Sequence, residues 1–238
     1  MNLQGKVALV AGGTGALGRE VATAFLEAGA TVAVTYRHEE EYNALVAMAK
    51  TAGANAPAGF IVDVTDNTAV EKLIGSLLAQ HNRLDILVNA VGSYASGKNL
   101  WESSPELYER MMNVNLRASF VLARAAVPVM IRQNRGWIVS VASKAAYGHS
   151  PSASLYAASK AGAMALFESL ADEVKPYNIN VNSVVPSIFD TAANRQAMPK
   201  ADFSKWPKPE EIARVILFLC SEDARVVHGA AVPVFGRT

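Results

Sequence analysis

A second cysteine, charge excess and metal-ligand spacing are what this 238-residue chain lacks. Its one cysteine, Cys220, ends the apolar run Val215-Ile216-Leu217-Phe218-Leu219-Cys220, so an intramolecular disulfide is excluded and a buried core thiol is expected. A chain without disulfides suits a reducing compartment. Lysine and arginine total 22 against 21 aspartate and glutamate, which excludes a nucleic-acid surface built on bulk positive charge. The four histidines form no zinc signature, and the chemistry read below needs no metal. Met1 to Lys6 run straight into a strand-like stretch without a signal-peptide apolar segment, and no apolar run reaches membrane-spanning length. A soluble, cytoplasmic protein with no membrane partner is expected.

Linkers, repeats and low-complexity tracts are missing too, which leaves one domain over residues 1–238. Short β-branched runs alternate with longer helical patterns. Strands are expected at Val7 to Val10, Thr31 to Thr35, Phe60 to Val62, Ile86 to Val88, Trp137 to Val141, Asn180 to Val184 and Ala231 to Val234. Several are continuously apolar, as strands covered on both faces must be. Between them lie amphipathic segments such as Arg19 to Ala28, with Val21, Ala24, Phe25 and Ala28 on one stripe and Gly29 as the stop. A long helical segment runs from Pro105 to Ile131, and Pro128 is expected to end or kink it. This rhythm gives the fold class: α/β, a doubly wound parallel sheet of about seven strands in a single Rossmann-type domain. The stretch from about 187 to 208 reads as an excursion within that domain.

Directly after the first strand comes Ala11-Gly12-Gly13-Thr14-Gly15-Ala16-Leu17-Gly18. Gly13-x-Gly15-x-x-Gly18 fits the dinucleotide fingerprint, in which glycines let the backbone approach a pyrophosphate seated on a helix N-terminus. Gly12, Thr14, Gly15, Ala16, Leu17 and Gly18 are therefore the expected cradle. An NAD site usually carries an acidic residue about 20 positions further on, to bond the ribose 2′-hydroxyl. Here the second strand ends in Thr35-Tyr36-Arg37-His38. With no carboxylate to repel it, a 2′-phosphate is expected to pair with the Arg37 guanidinium, which favours NADP(H) over NAD(H).

Tyr156 and Lys160, four residues apart, share one helical face. There an ammonium can stabilise a phenolate, and a hydroxyl such as Ser143 can share the oxygen that the tyrosine protonates. A phenol titrates near 10, and lowering it by about three units takes roughly 4 kcal/mol of preferential phenolate stabilisation. Lys160 and the positive nicotinamide of an oxidised cofactor are the sources at hand.

The chain resembles the short-chain dehydrogenase/reductase family over nearly its whole length. That family places a serine 13 residues before the tyrosine of a Tyr-x-x-x-Lys motif, which is the spacing of Ser143 and Tyr156. The resemblance implies that Tyr156 is the general acid and base, that Lys160 tunes it and holds the nicotinamide ribose, and that Ser143 bonds the substrate oxygen. It implies that Asn115, in Met112-Asn113-Val114-Asn115, supports a water-mediated proton path behind Lys160. Asp63 and Val64 match the adenine-holding stretch, Asn89-Ala90-Val91-Gly92 the motif after the fourth strand, and Pro186 to Thr191, with Ile188, the stretch beside the nicotinamide. A homodimer or homotetramer follows from the family's use of its long helices.

The chain also departs from the family pattern. Ala16, Ala90 and Ser187 stand where glycine, asparagine and glycine are usual, and Val234-Phe235-Gly236 replaces Asp-Gly-Gly. The spacing Gly12-x-x-Gly15-x-x-Gly18 is similar to that of the family's extended members, yet only 78 residues follow Lys160, and the glycine pattern with the compact size resembles the dihydropteridine-reductase-like branch. The reaction implied is hydride transfer between NADPH and a small-molecule carbonyl or alcohol, with reduction of a pteridine-type C=N bond as a related alternative. A non-catalytic NADP-binding redox sensor is the alternative from another class, though such sensors commonly lose the Tyr-Lys pair. Substrate choice falls to about Ser187 to Trp206, where Arg195, Met198, Phe203 and Trp206 suggest an apolar pocket with an arginine free for an anion. His149, between Ser143 and Tyr156, is a further candidate for the substrate cleft.

Overall fold

Seven short apolar segments pair side by side in the computed structural model, which describes residues 1–238. In chain order the elements are β1 (Val7–Ala11), α1 (Gly18–Glu27), β2 (Thr31–Tyr36), α2 (Glu39–Thr51), β3 (Ala58–Ile61), α3 (Asn67–His81) and β4 (Ile86–Asn89). There follow α4 (Pro105–Met111), α5 (Ala118–Gln133), β5 (Gly136–Val141), α6 (Ser154–Val174), β6 (Ile179–Pro186), α7 (Ala192–Ala197), α8 (Pro209–Leu219) and β7 (Ala231–Val234). Every strand pair is parallel, in the order β3-β2-β1-β4-β5-β6-β7. The chain order reverses between β1 and β4, and a crevice opens at the carboxyl ends of these strands, where open α/β sheets take ligands.

Both sheet faces are covered, which is why the strands read as unbroken apolar runs. One core packs α1, α8 and the Leu45/Ala49 side of α2 on Ala8, Val10, Val32, Val34, Val88 and Val139. The other packs α3, α5 and α6 on Leu9, Ala33, Leu87, Ile138 and Val181. Cys220 lies in the first core, and burial pushes its thiol pKa up, as befits an inert core thiol.

Two of the expected elements need correction, and the long helix carries a π turn. β3 covers Ala58–Ile61 instead of Phe60 to Val62, because Gly59 hides the start of the strand from a propensity reading. Gly59 belongs in it: a Cβ there would come within 2.4 Å of the Tyr42 ring. The helix does not end at Pro128 but runs on to Gln133 and stops at Asn134, whose φ of 51° is left-handed. Pro128 and Arg124 are both exposed, so the carbonyl that loses its partner faces water, while buried Val129 and Met130 hold the last turn. Finally, a six-residue π turn, Met112–Arg117, joins α4 and α5 into one helix, Pro105–Gln133. It is 29 residues long and holds an 18-residue stretch of mean hydropathy 1.4, enough to cross a membrane by length and composition. Half of that apolar stretch is buried, with Val121, Leu122, Ala126, Val129 and Met130 in the second core.

Candidate active site

The glycine loop turns tightly because three glycines have no room for a side chain. Gly12 has a φ of +74°. A Cβ on Gly13 would lie 2.5 Å from Val34, and one on Gly18 only 2.0 Å from the Gly12 carbonyl oxygen. Thr35 closes the turn: its hydroxyl accepts from the Gly12 N–H at 2.9 Å and its carbonyl from the Gly13 N–H at 3.1 Å. Gly15 differs. It is exposed, and a Cβ there would make only ordinary contact, at 3.4 Å. Gly13 thus serves strand packing, and Gly15 leaves the outer surface of the loop bare. Ala16 is partly buried, and Leu17 buries its side chain in the core, so its backbone alone faces the loop. The cradle at the start of α1 therefore fits a pyrophosphate, and Ala16 does not fill it.

Around this loop the structure gathers the other predicted cofactor residues. Arg37 is exposed just beyond β2. Asp63 follows β3, and its Oδ1 accepts from the Thr65 N–H and hydroxyl at 2.9 and 2.8 Å. Those bonds, assisted by the charges of Arg37 and Arg117, hold its carboxyl below the usual range. Val64 is in the core. Asn89 ends β4; Ala90 extends the pairing by donating its N–H to the Ala11 carbonyl at 3.0 Å. Gly92 has a stricter reason to be glycine, since a Cβ there would sit 3.0 Å from Lys160 Nζ and 3.2 Å from Asn115 Oδ1.

Tyr156 and Lys160 occupy the first two turns of α6, and Ser143 lies just past the end of β5, where its hydroxyl accepts from the Ala145 N–H at 3.2 Å. Burial raises the Tyr156 pKa above that of a free phenol; a hydrogen bond from the Ser143 hydroxyl works against this, and Tyr94 adds to it. The Tyr94 ring stands edge-on to Tyr156, 4.9 Å between centroids, and is itself exposed. Lys160 is buried and donates to the Val141 carbonyl at 2.9 Å; burial pushes its pKa down to about 8. The ammonium thus addresses the β5 carbonyl instead of the phenol, and the Tyr156 pKa lies above its ordinary value, not below it.

Asn115 lies on the π turn and is buried. Its Oδ1 accepts from the Ser93 N–H at 2.9 Å, and its Nδ2 reaches the Ser93 carbonyl and Ser159 Oγ, each at 3.0 Å. Ser159 donates onward to the Tyr156 carbonyl at 2.8 Å. The Asn115 carbonyl accepts from Ser119 Oγ at 2.8 Å, and Ser119 accepts in turn from Asn89 Nδ2 at 2.9 Å. One polar chain therefore ties the exit of β4 to the first turns of α6. Single-turn π bulges frequently mark functional positions, and this one carries Asn115.

The excursion closes on itself through the Asp190 N–H and the Pro207 carbonyl, 2.9 Å apart. Within it Thr191 caps α7 by accepting from the Asn194 N–H at 3.1 Å, and Ile188 and Pro186 border the β6 exit. Ser187 has a use for its side chain: the hydroxyl reaches the Phe235 carbonyl at 3.1 Å and Thr238 Oγ1 at 2.5 Å, tying the excursion to the residues after β7. Arg195 is not free for an anion. Asp190 takes its guanidinium in a fork at 2.6 and 2.7 Å, and the group stacks over Phe203. Trp206 is buried beside Phe203, and Met198 is exposed. His149 is exposed with Nδ1 3.2 Å from the Ala145 carbonyl. Tyr94, Ser93 and Ser159 escape a sequence reading because only folding brings them to the site.

Comparison with known proteins agrees with this fold. The model of the short chain dehydrogenase family matches residues 6–202. The chain is 31% identical over 244 residues to 3-oxoacyl-[acyl-carrier-protein] reductase FabG of Thermotoga maritima, covering 99% of this chain and 98% of that protein. It is 32% identical over 246 residues to dehydrogenase/reductase SDR family member 4 of Mus musculus, covering 99% and 88%. Among solved structures, an NAD+-bound xylitol dehydrogenase superposes with a TM-score of 0.91 at 25% identity, covering 99% of this chain and 100% of the other. A short chain dehydrogenase from Mycobacterium smegmatis gives 0.86 at 31%, covering 98% and 92%.

Proposed function

The chain belongs to the short-chain dehydrogenase/reductase family and is an NAD(P)-dependent short-chain oxidoreductase, and on that premise we propose that it prefers NADPH and acts on a carbonyl or hydroxyl carbon through Tyr156. The observation that carries this reading is Lys160, buried without a carboxylate partner one helical turn from Tyr156, with Ser143 at the neighbouring strand exit. The backbone of Gly12 to Gly18 would hold the pyrophosphate, Asp63 and Val64 the adenine side, and Asn89 to Gly92 with Pro186 to Thr191 the nicotinamide side. When bound, the dinucleotide supplies or accepts the hydride. Arg37, exposed beside the loop, supports the preference for a 2′-phosphate.

Tyr156 keeps its proton at neutral pH, because burial holds its pKa above the ordinary phenol value. That readies it as general acid in the reducing direction, donating from Oη to the substrate oxygen. Lys160 Nζ, at about 8, exchanges a proton near neutral pH and can replenish the phenol. Ser143 Oγ holds the substrate oxygen and steadies the phenolate left behind. Asn115 is a positioning residue: by fixing Ser93 and Ser159 it sets the distance between the β4 exit and α6. Tyr94, edge-on to Tyr156, forms one wall of the substrate entrance. The substrate is a small molecule. A homodimer or homotetramer is also proposed, supported by exposed Tyr108 and Phe120 on the long helix, and a cytoplasmic setting, supported by the unpaired Cys220 thiol.

The test is NADPH oxidation across ketones, aldehydes, quinones, sugars and pterins, with Tyr156→Phe alongside. On the best substrate the Phe variant should lose about 10³-fold or more in turnover while still binding NADPH. Full activity in Tyr156→Phe would sink the mechanism. Turnover of pterins alone would select the C=N reductase, and NADPH binding without any turnover the sensor.

A further inference from the structure

β2 ends without an acidic residue, but α2 brings carboxylates toward the glycine loop. Glu39, Glu40 and Glu41 fill the first turn of α2, where carboxylates complement the helix dipole. Glu41 does more: its Oε2 accepts the Thr14 hydroxyl proton at 2.8 Å, reaching across 27 positions to the glycine loop. The neighbouring residue fixes it there. Tyr42 stacks on Tyr36, centroids 4.6 Å apart and planes 7° from parallel, and donates its hydroxyl to the Pro57 carbonyl at 2.8 Å. Gly59 leaves room for that stack and for nothing more. The first turn of α2 is thus clamped against β2 and β3, with Glu41 held toward Thr14.

We propose that Glu41 is a cofactor-specificity residue that opposes Arg37, disfavouring a 2′-phosphorylated dinucleotide and so narrowing its advantage over the unphosphorylated one. It rests on the reading that the glycine loop holds the adenosine half of a dinucleotide. Arg37 attracts a 2′-phosphate, while a carboxylate tied to the loop repels it. The ratio of affinities is the balance of these two charges, not the work of Arg37 alone. Because Glu41 is exposed, salt and water screen it, and its effect is on the order of tenfold.

Calorimetric titration of the full chain with NADP+ and with NAD+ tests this in wild type, Glu41→Gln, Glu41→Ala and Arg37→Ala. Glutamine keeps an acceptor for the Thr14 hydroxyl and removes only the charge. Both Glu41 variants should bind NADP+ about tenfold more tightly with NAD+ changed less than about threefold, and the gain should shrink as salt rises. An unchanged NADP+ to NAD+ ratio in Glu41→Gln overturns the proposal. So does a gain confined to Glu41→Ala, which would mark release of the loop and not loss of charge. If neither nucleotide binds the wild type, the dinucleotide reading falls and takes the proposal with it. If Arg37→Ala changes nothing while Glu41→Gln responds, the Arg37 assignment falls and the Glu41 one stands.

Discussion

At the amino ends of the strands Asp85, 1% exposed, has all the partners a carboxylate can use. The Val7 N–H donates to it at 2.8 Å, Arg83 forks onto it at 2.8 and 2.6 Å, and Lys6 lies 3.9 Å away. At the carboxyl ends Lys160, 6% exposed, has one hydrogen bond, to the Val141 carbonyl, and no carboxylate. Both are buried charges at the ends of one sheet, and desolvation costs both. The first is repaid by charge-assisted bonds that join β1 to β4. The second is left uncompensated, which shows in a lysine pushed down to about 8. A buried charge satisfied by the protein holds the fold together; one left short is available to a ligand.

Removing the paired charge should cost the most. Asp85→Asn takes the charged acceptor from the Val7 N–H and from the half-exposed Arg83 fork, so unfolding by denaturant should show a loss of roughly 2 kcal/mol. A loss under 1 kcal/mol would erase the contrast between the two ends.

Lys160→Met tests the other end in the cofactor-free protein. Above pH 8 the folded chain gives up the Lys160 proton, while the unfolded chain keeps it to about 10.5. The unfolded state then binds more protons, so stability rises with pH. Between pH 7 and 9 this one group should add roughly 1 to 1.5 kcal/mol to wild type and nothing to Lys160→Met. Parallel stability curves for the two proteins over that range would show that Lys160 is not strained by burial.

The smallest effect sharpens what burial contributes. Glu222 pairs with Arg135 near Asp85, but both side chains are about half exposed. Glu222→Gln should therefore change stability by less than about 0.5 kcal/mol. A change as large as that of Asp85→Asn would make proximity to the sheet end, not burial, the governing variable.

Much of the architecture was legible because it follows local rules. Unbroken apolar runs located the strands to within a few residues, and glycine spacing located the loop at the turn into α1. Ser143, Tyr156 and Lys160 were legible because they lie on one strand exit and one helix face, with distances that backbone geometry dictates. What stayed hidden depends on contacts between distant segments. Arg195 reads as a free cation until Asp190 takes it. Pro128 reads as a stop or a kink, and buried neighbours carry the helix past it. Asn115 reads as a helix residue, yet its partners are Ser93 and Ser159, 22 and 44 positions away.

The sequence by itself therefore determined the layered α/β sheet, the glycine turn into α1 and the gathering of Ser143, Tyr156 and Lys160 at one end of the sheet, since period, steric need for glycine and helical spacing act over short distances. Only the tertiary structure decided how those side chains are charged and what competes with them. Desolvation of Lys160, the raised pKa of Tyr156 and the reach of Glu41 to Thr14 arise from packing between elements, and packing is settled when the chain has closed around them.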